Sequence, residues 1–273
     1  MKHWIFLAIT ALMSSASPLI AQDLFPDKGL EAAVRHEVYA KRYNEEPLTV
    51  DDVKKISQVK AKSKEIKSLE GLQHCVAIQL IDLEDNQIED LSPLKGLTLL
   101  QSINLASNKI SDVTPLENLE RVQYLQLEGN AVKDISALAK MNNMRSLYLS
   151  KNKIEQIGVV KEFKKAWSLY LAENPIQDFS PISELKSLDN LDLSSCKVKD
   201  LGFLRPLSSL EDLQLSKNEI SDISVLIEMA KADTKRNFAP FWRVYLSGNP
   251  LDSEAAKAQL ESFRETGARV TLE

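Results

Sequence analysis

A chain of 273 residues, 44% hydrophobic and 27% charged, is long enough for one or two folded domains and too apolar to stay disordered. Its net charge of −5 lacks the basic footprint that nucleic acid or an anionic membrane surface requires, so neither is an expected partner.

Residues 1–21 read as an export leader. Lys2 is the basic start, Trp4 to Met13 form an apolar run, and small residues follow as far as Leu19-Ile20-Ala21, a cleavage point before Gln22. That run is too short to span a bilayer, and no later stretch is long enough. No cysteine follows the cleavage point, so no lipid anchor is expected there. The mature chain is expected to be secreted or periplasmic, without membrane insertion.

Residues 22–54 are expected to form a helical cap. Pro26 and Asp27 start a helix that carries Leu30, Val34 and Val38 on one face.

Residues 55–251 hold a repeat. The frame Leu-x-x-Leu-x-Leu-x-x-Asn-x-Ile fits Ile78, Ile81, Leu83, Asn86 and Ile88, and again Leu100, Ile103, Leu105, Asn108 and Ile110. The Asn slot recurs every 22 residues at Asn130, Asn152, Asn174, Cys196 and Asn218. One step of 31 reaches Asn249, where Phe241, Val244, Leu246 and Leu251 complete the frame. A degenerate first copy reads Ile56, Val59, Ala61, Lys64 and Ile66. Nine copies in register predict an α/β solenoid, a leucine-rich-repeat right-handed superhelix of about nine turns with a parallel concave sheet. Strand centres are expected near Val59, Leu83, Leu105, Leu127, Leu149, Leu171, Leu193, Leu215 and Leu246. The Asn amide, at the point where the chain leaves the strand, satisfies backbone groups that the bend would bury. Beyond it, Ile88, Leu91, Leu94 and Leu97 are spaced by three, and Pro93, Pro115 and Pro181 share one slot. Period three with proline predicts mainly 3₁₀ turns on the convex side. The nine extra residues around 231–240 are read as an extended outer helix.

Residues 252–273 are expected to close the other end. Asp252 or Ser253 caps a helix holding Ala256, Leu260 and Phe263, Gly267 ends it, and residues 269–272 are available for a last strand.

The 22-residue unit and the segments NKISDVTPLENL and NQIEDLSPLKGL resemble the internalin-type bacterial leucine-rich-repeat proteins. The stretch LFPDKGLEAAVRHEVYA followed by LTVDDVKKI resembles their helical N-terminal cap. The resemblance covers nearly all of the mature chain and implies extracellular protein binding through the concave face. No immunoglobulin-like extension and no cell-wall anchor are read in the sequence.

Alternation along each strand names the residues that face outward. The middle column runs Lys60, Asp82, Asn104, Gln126, Tyr148, Tyr170, Asp192, Gln214, Tyr245; Tyr124 and Arg243 lie in the column beside it. Four of the chain's six tyrosines therefore share this face, next to small residues such as Ser150 and Ala172. Tyrosine offers rigid contact area with a polar tip. Tyr124, Gln126, Tyr148, Tyr170, Asp192, Gln214, Arg243 and Tyr245 are the candidate ligand contacts. Trp167 and Trp242 share a slot that is polar in other turns, so both are expected at the surface, Trp167 as an edge contact or as cover for Ala166. Lys60 with Asp82 and Lys62 with Glu84 are expected cross-strand pairs.

Catalytic signals are absent. His36 and His74 fall in different elements, and no nucleophile, phosphate-loop or dinucleotide motif occurs, so neither enzyme activity nor a cofactor is expected. Asp82, Glu84 and Asp85 lack the glycine and alternation of a calcium loop. Cys75 and Cys196 lie about six turns apart, roughly 30 Å at 4.8 Å per turn, too far for a disulfide. The leading expectation is a monomeric module that binds a protein ligand; the alternative is a binder of cell-wall glycan or another polysaccharide.

Overall fold

The computed structural model describes residues 23–235, 240 and 242–272. The expected leader and Phe241 lie outside the described residues, as does the middle of the insertion.

Nine repeat strands and one strand of the C-terminal cap form one sheet of ten parallel strands in chain order. They are β1 (Gln58–Lys60), β2 (Leu80–Asp82), β3 (Ser102–Asn104), β4 (Tyr124–Gln126), β5 (Ser146–Tyr148), β6 (Ser168–Tyr170), β7 (Asn190–Asp192), β8 (Asp212–Gln214), β9 (Arg243–Tyr245) and β10 (Arg269–Thr271). Each strand is three residues long and pairs with its neighbours at equivalent positions, as with Tyr148 opposite Tyr170. From β2 onward the centres sit two residues earlier than expected, at Ile81 rather than Leu83, for example. Backbone bonds continue past the strand, from Leu83 N–H to the Asn104 carbonyl and from Asp85 N–H to the Ala106 carbonyl. But Asp85 takes a left-handed φ of 57°, and the bend it begins ends the regular strand. The same slot, just before the Asn position, is left-handed in every turn: Gly129 and Gly248 suit it, while Ser107, Lys151, Glu173 and Lys217 adopt it against preference.

That bend is held by the side chain that comes next. In Asn152, Nδ2 donates to the carbonyls of Leu127, Leu149 and Ser150, while Oδ1 accepts from Val132 N–H. Asn86, Asn108, Asn130, Asn174 and Asn218 repeat this pattern. At Cys196 the thiol donates to the Leu171 carbonyl at 3.2 Å but offers no comparable acceptor to the N–H of Ile176.

Outside the sheet the chain turns through short 3₁₀ segments such as Ser92–Leu94, Thr114–Leu116 and Ser180–Glu184, each with proline at its second position. An aspartate two residues ahead accepts the first N–H, as in Asp90 with Ser92 and Asp112 with Thr114. Between sheet and turns, the Leu, Ile and Val rows form a continuous buried core.

The α-helices belong to the two ends. In α1 (Lys28–Glu37) Asp27 caps the first turn, and Leu30 and Val34 are buried. The other Asp27 oxygen accepts from Lys67 and Ser68 N–H, tying cap to repeat. In α2 (Val50–Val53) Thr49 and Asp52 form a capping box. In α3 (Ser224–Ala232) the convex side becomes a true helix in the last long turn. In α4 (Glu254–Glu265) Ser253 is the cap and Ala256, Leu260 and Phe263 are buried. Trp242, expected at the surface, is fully buried, with its ring edge-on to Phe263 at 5.5 Å. The helix that covers it lies more than ten residues downstream, beyond the reach of a within-turn pattern. Cys75 and Cys196 are free and buried, and burial pushes their thiols up to about 12 and about 11. Among the described residues, no helix is long and apolar enough to cross a membrane.

Candidate functional site

The eight candidate ligand contacts all lie on strands, on the sheet's open face. Tyr124 and Gln126 are on β4, Tyr148 on β5, Tyr170 on β6, Asp192 on β7, Gln214 on β8, and Arg243 and Tyr245 on β9. Because the register is in step, they form columns about 4.8 Å apart from strand to strand.

The tyrosines contact one another. Tyr148 and Tyr170 stack with ring centroids 4.6 Å apart and planes 11° from parallel. Tyr124 leans on the other side of Tyr148, 5.3 Å away and tilted by 47°. The residues beside them on the same turns are small, and Ser146, Ser150, Ser168 and Ala172 are all buried. The result is a rigid, half-buried aromatic ridge. Burial, then the neighbouring Tyr148, Asp212 and Asp192, hold the Tyr170 phenol above its ordinary value.

Polar groups flank the ridge on both sides. On the N-terminal side, Gln126 Oε1 is buried without a hydrogen-bond partner among the described residues. A buried acceptor without a partner costs about 1–3 kcal/mol. Further along, Asn104 donates to both Asp82 and Glu84. The expected Lys62–Glu84 pair forms at 2.8 Å and holds the Glu84 carboxyl below its usual value. Lys60 and Asp82 are register partners, but the Asp82 carboxylate takes its hydrogen bond from Asn104 and not from Lys60, so no ion pair forms there. Asp85 accepts from the Ser63 hydroxyl, so all three residues of the acidic run are partnered. On the C-terminal side, Arg243 pairs with Asp212 at 3.0 Å, and Gln214 donates to the same carboxylate.

Trp167 stands at the edge of this face, 47% exposed. Its indole N–H donates to Ser146 Oγ, and the Arg145 guanidinium lies 5.4 Å from its ring centre. Ala166, the residue before it, is buried. The Arg145 contact was legible in the 22-residue spacing, which sets Arg145 and Trp167 side by side. The open oxygen of Gln126 has no sequence signal.

Comparison with known proteins agrees with the geometry. A leucine-rich-repeat model of two copies matches residues 76–118, and a second leucine-rich-repeat model matches residues 100–154. No curated protein matches the sequence. Among solved structures, internalin C2 of Listeria monocytogenes is 28% identical with a TM-score of 0.74, covering 82% of this chain and 95% of that one. A leucine-rich-repeat protein of Leptospira interrogans is 18% identical, TM-score 0.66, covering 82% of this chain and 62% of its own. The functional domain of InlJ of Listeria monocytogenes is 19% identical, TM-score 0.65, covering 85% and 52%. These last two establish likeness of fold alone.

Proposed function

The chain is a bacterial leucine-rich-repeat protein of the internalin type, and on that premise we propose that it is an exported, monomeric module that binds a protein ligand on its concave face. The observation that carries this reading is the ridge of Tyr124, Tyr148 and Tyr170. Three aromatic side chains on adjacent strands, braced by one another, give a large contact area with little side-chain entropy left to lose. The half-exposed Trp167 at the edge widens the same surface.

A polysaccharide ligand is less well served. Sugar stacking needs open ring faces, and here Tyr148 has Tyr170 against one face and Tyr124 leaning over the other. The acid–amide pairing a sugar would exploit is also taken up internally, since Gln214 is bonded to Asp212 and Asp192 accepts from Ser194 N–H. Export rests on the sequence of residues 1–21.

The experiment captures partners from the native secretome with the secreted chain, whose mass is expected to place its first residue at Gln22. A captured protein is then titrated against Tyr148→Ala and Tyr170→Ala. Each should weaken binding at least about tenfold, with the circular dichroism unchanged, because these rings lie outside the core. Lys95→Ala, on the outer face, should bind as the parent does. If both tyrosine variants bind as tightly as the parent while an outer-face variant loses affinity, the binding surface lies elsewhere.

A further inference from the structure

The ridge ends at Tyr170, and the middle column then drops to two shorter side chains, Asp192 and Gln214, before rising again at Tyr245. Three strand steps separate the two tyrosines, about 14 Å between their backbones. By side-chain size this dip between the two tyrosines is a notch, with the Asp192 carboxylate and the Gln214 amide in it.

The charges around the notch are unbalanced. Asp212 is matched by Arg243. Asp192 uses one oxygen for the Ser194 N–H and forms no ion pair among the described residues. Asp189 and Glu211 sit side by side on adjacent turns at the rim, and neither is ion-paired among the described residues. Burial, and then the charge of Glu211, raise the Asp189 carboxyl above its ordinary value, as expected where negative charge lacks a counter-ion.

We propose that the notch between Tyr170 and Tyr245 receives a lysine or arginine side chain of the protein segment that lies along the tyrosine ridge, with Asp192 as its counter-ion. The proposal rests on the concave-face reading and adds the chemistry of the partner. A cation held over Asp192 lies one strand step, about 4.8 Å, from Tyr170, within reach of that ring, and the carboxylate accepts its hydrogen bonds. The same negative potential repels an acidic segment, so it selects as well as attracts. A protein segment fits better than a free cation, because the notch continues directly into the ridge that the rest of the segment would cover.

The test is selection of random twelve-residue peptides on the intact secreted chain at near-physiological salt. Binders should carry lysine or arginine. Replacing that residue by citrulline or norleucine should lower the affinity at least about tenfold, and so should Asp192→Asn, which keeps the acceptor for the Ser194 N–H. Glu89→Gln, an exposed carboxylate away from the notch, should have no effect. Binders without a cation that are lost in Tyr148→Ala overturn the notch but leave the concave face standing. Binders indifferent to Tyr148→Ala, Tyr170→Ala and Asp192→Asn overturn both. A cationic binder unaffected by Asp192→Asn, or a library that yields no binder, also overturns the notch, since one extended segment with one cation is its proposed occupant.

Discussion

The Asn slot is where a single side chain has the greatest structural reach. Asn152 satisfies three carbonyls and one N–H drawn from two turns, all inside the bend. Its removal leaves those groups buried and unmatched, each at a cost of about 1–3 kcal/mol before any relaxation. Asn152→Ala should therefore lower unfolding stability by about 3 kcal/mol or more, measured by denaturant titration. Cys196 runs the same logic in reverse. The thiol keeps a donor to the Leu171 carbonyl but supplies no oxygen to the Ile176 N–H. Cys196→Asn should raise stability by about 1 kcal/mol, the net worth of one hydrogen bond. A clear loss of stability would mean that the slot has been reshaped around sulfur.

At the scale of elements, identical slots meet different fates because their neighbours differ. Trp167 and Trp242 are three repeat positions apart in the same column. The first has another repeat on each side and a half-open outer face; the second lies under α4 with Phe263 against it. Trp242→Ala would open a large cavity under the cap and should cost about 3–5 kcal/mol. Trp167→Ala gives up only partial burial, one hydrogen bond and a contact with Arg145, so its stability loss should be at most about 1.5 kcal/mol by the same titration. Equal losses for the two would contradict their difference in burial. The tyrosine ridge belongs to this scale as well. The three-residue strands are too short to make a surface alone, and only their in-step pairing turns scattered tyrosines into one.

The repeats make a one-dimensional stack, in which, among the described residues, every strand pairs only with the strands before and after it. Stability in such a stack is a sum of local terms, and the ends are its weak points unless they are covered. Deleting residues 252–273 would expose Trp242 and remove Leu260 and Phe263 from the core. The two cysteines report separately on the two halves of the stack: Cys75 lies near the first turns and Cys196 near the last. In the intact chain both are buried with raised pKa values, so neither should react with a thiol reagent at pH 8. In the truncated chain Cys196 should become reactive while Cys75 stays protected. Labelling of both thiols at one rate would show that the solenoid unfolds as a single unit.

From residues alone, the period of 22 determined the fold, the inward and outward rows, and the residue that stands beside each tyrosine. The reason is that one strand per repeat makes a sequence offset equal to a position in space. The asparagine bonds were legible on the same ground, since the amide sits where each bend must be satisfied. Strand limits were not: the apolar frame runs on through Leu83 and its equivalents, while a left-handed residue two positions later ends the strand. Nor was the fate of Trp242, which depends on a cap helix that obeys no repeat. The ring stacking, the unmatched carboxylates beside Tyr170 and the open oxygen of Gln126 came only from the tertiary structure. A column order says which side chains are neighbours. Which of them satisfy one another, and which are left for a ligand, is decided by rotamers packed against both adjacent turns at once.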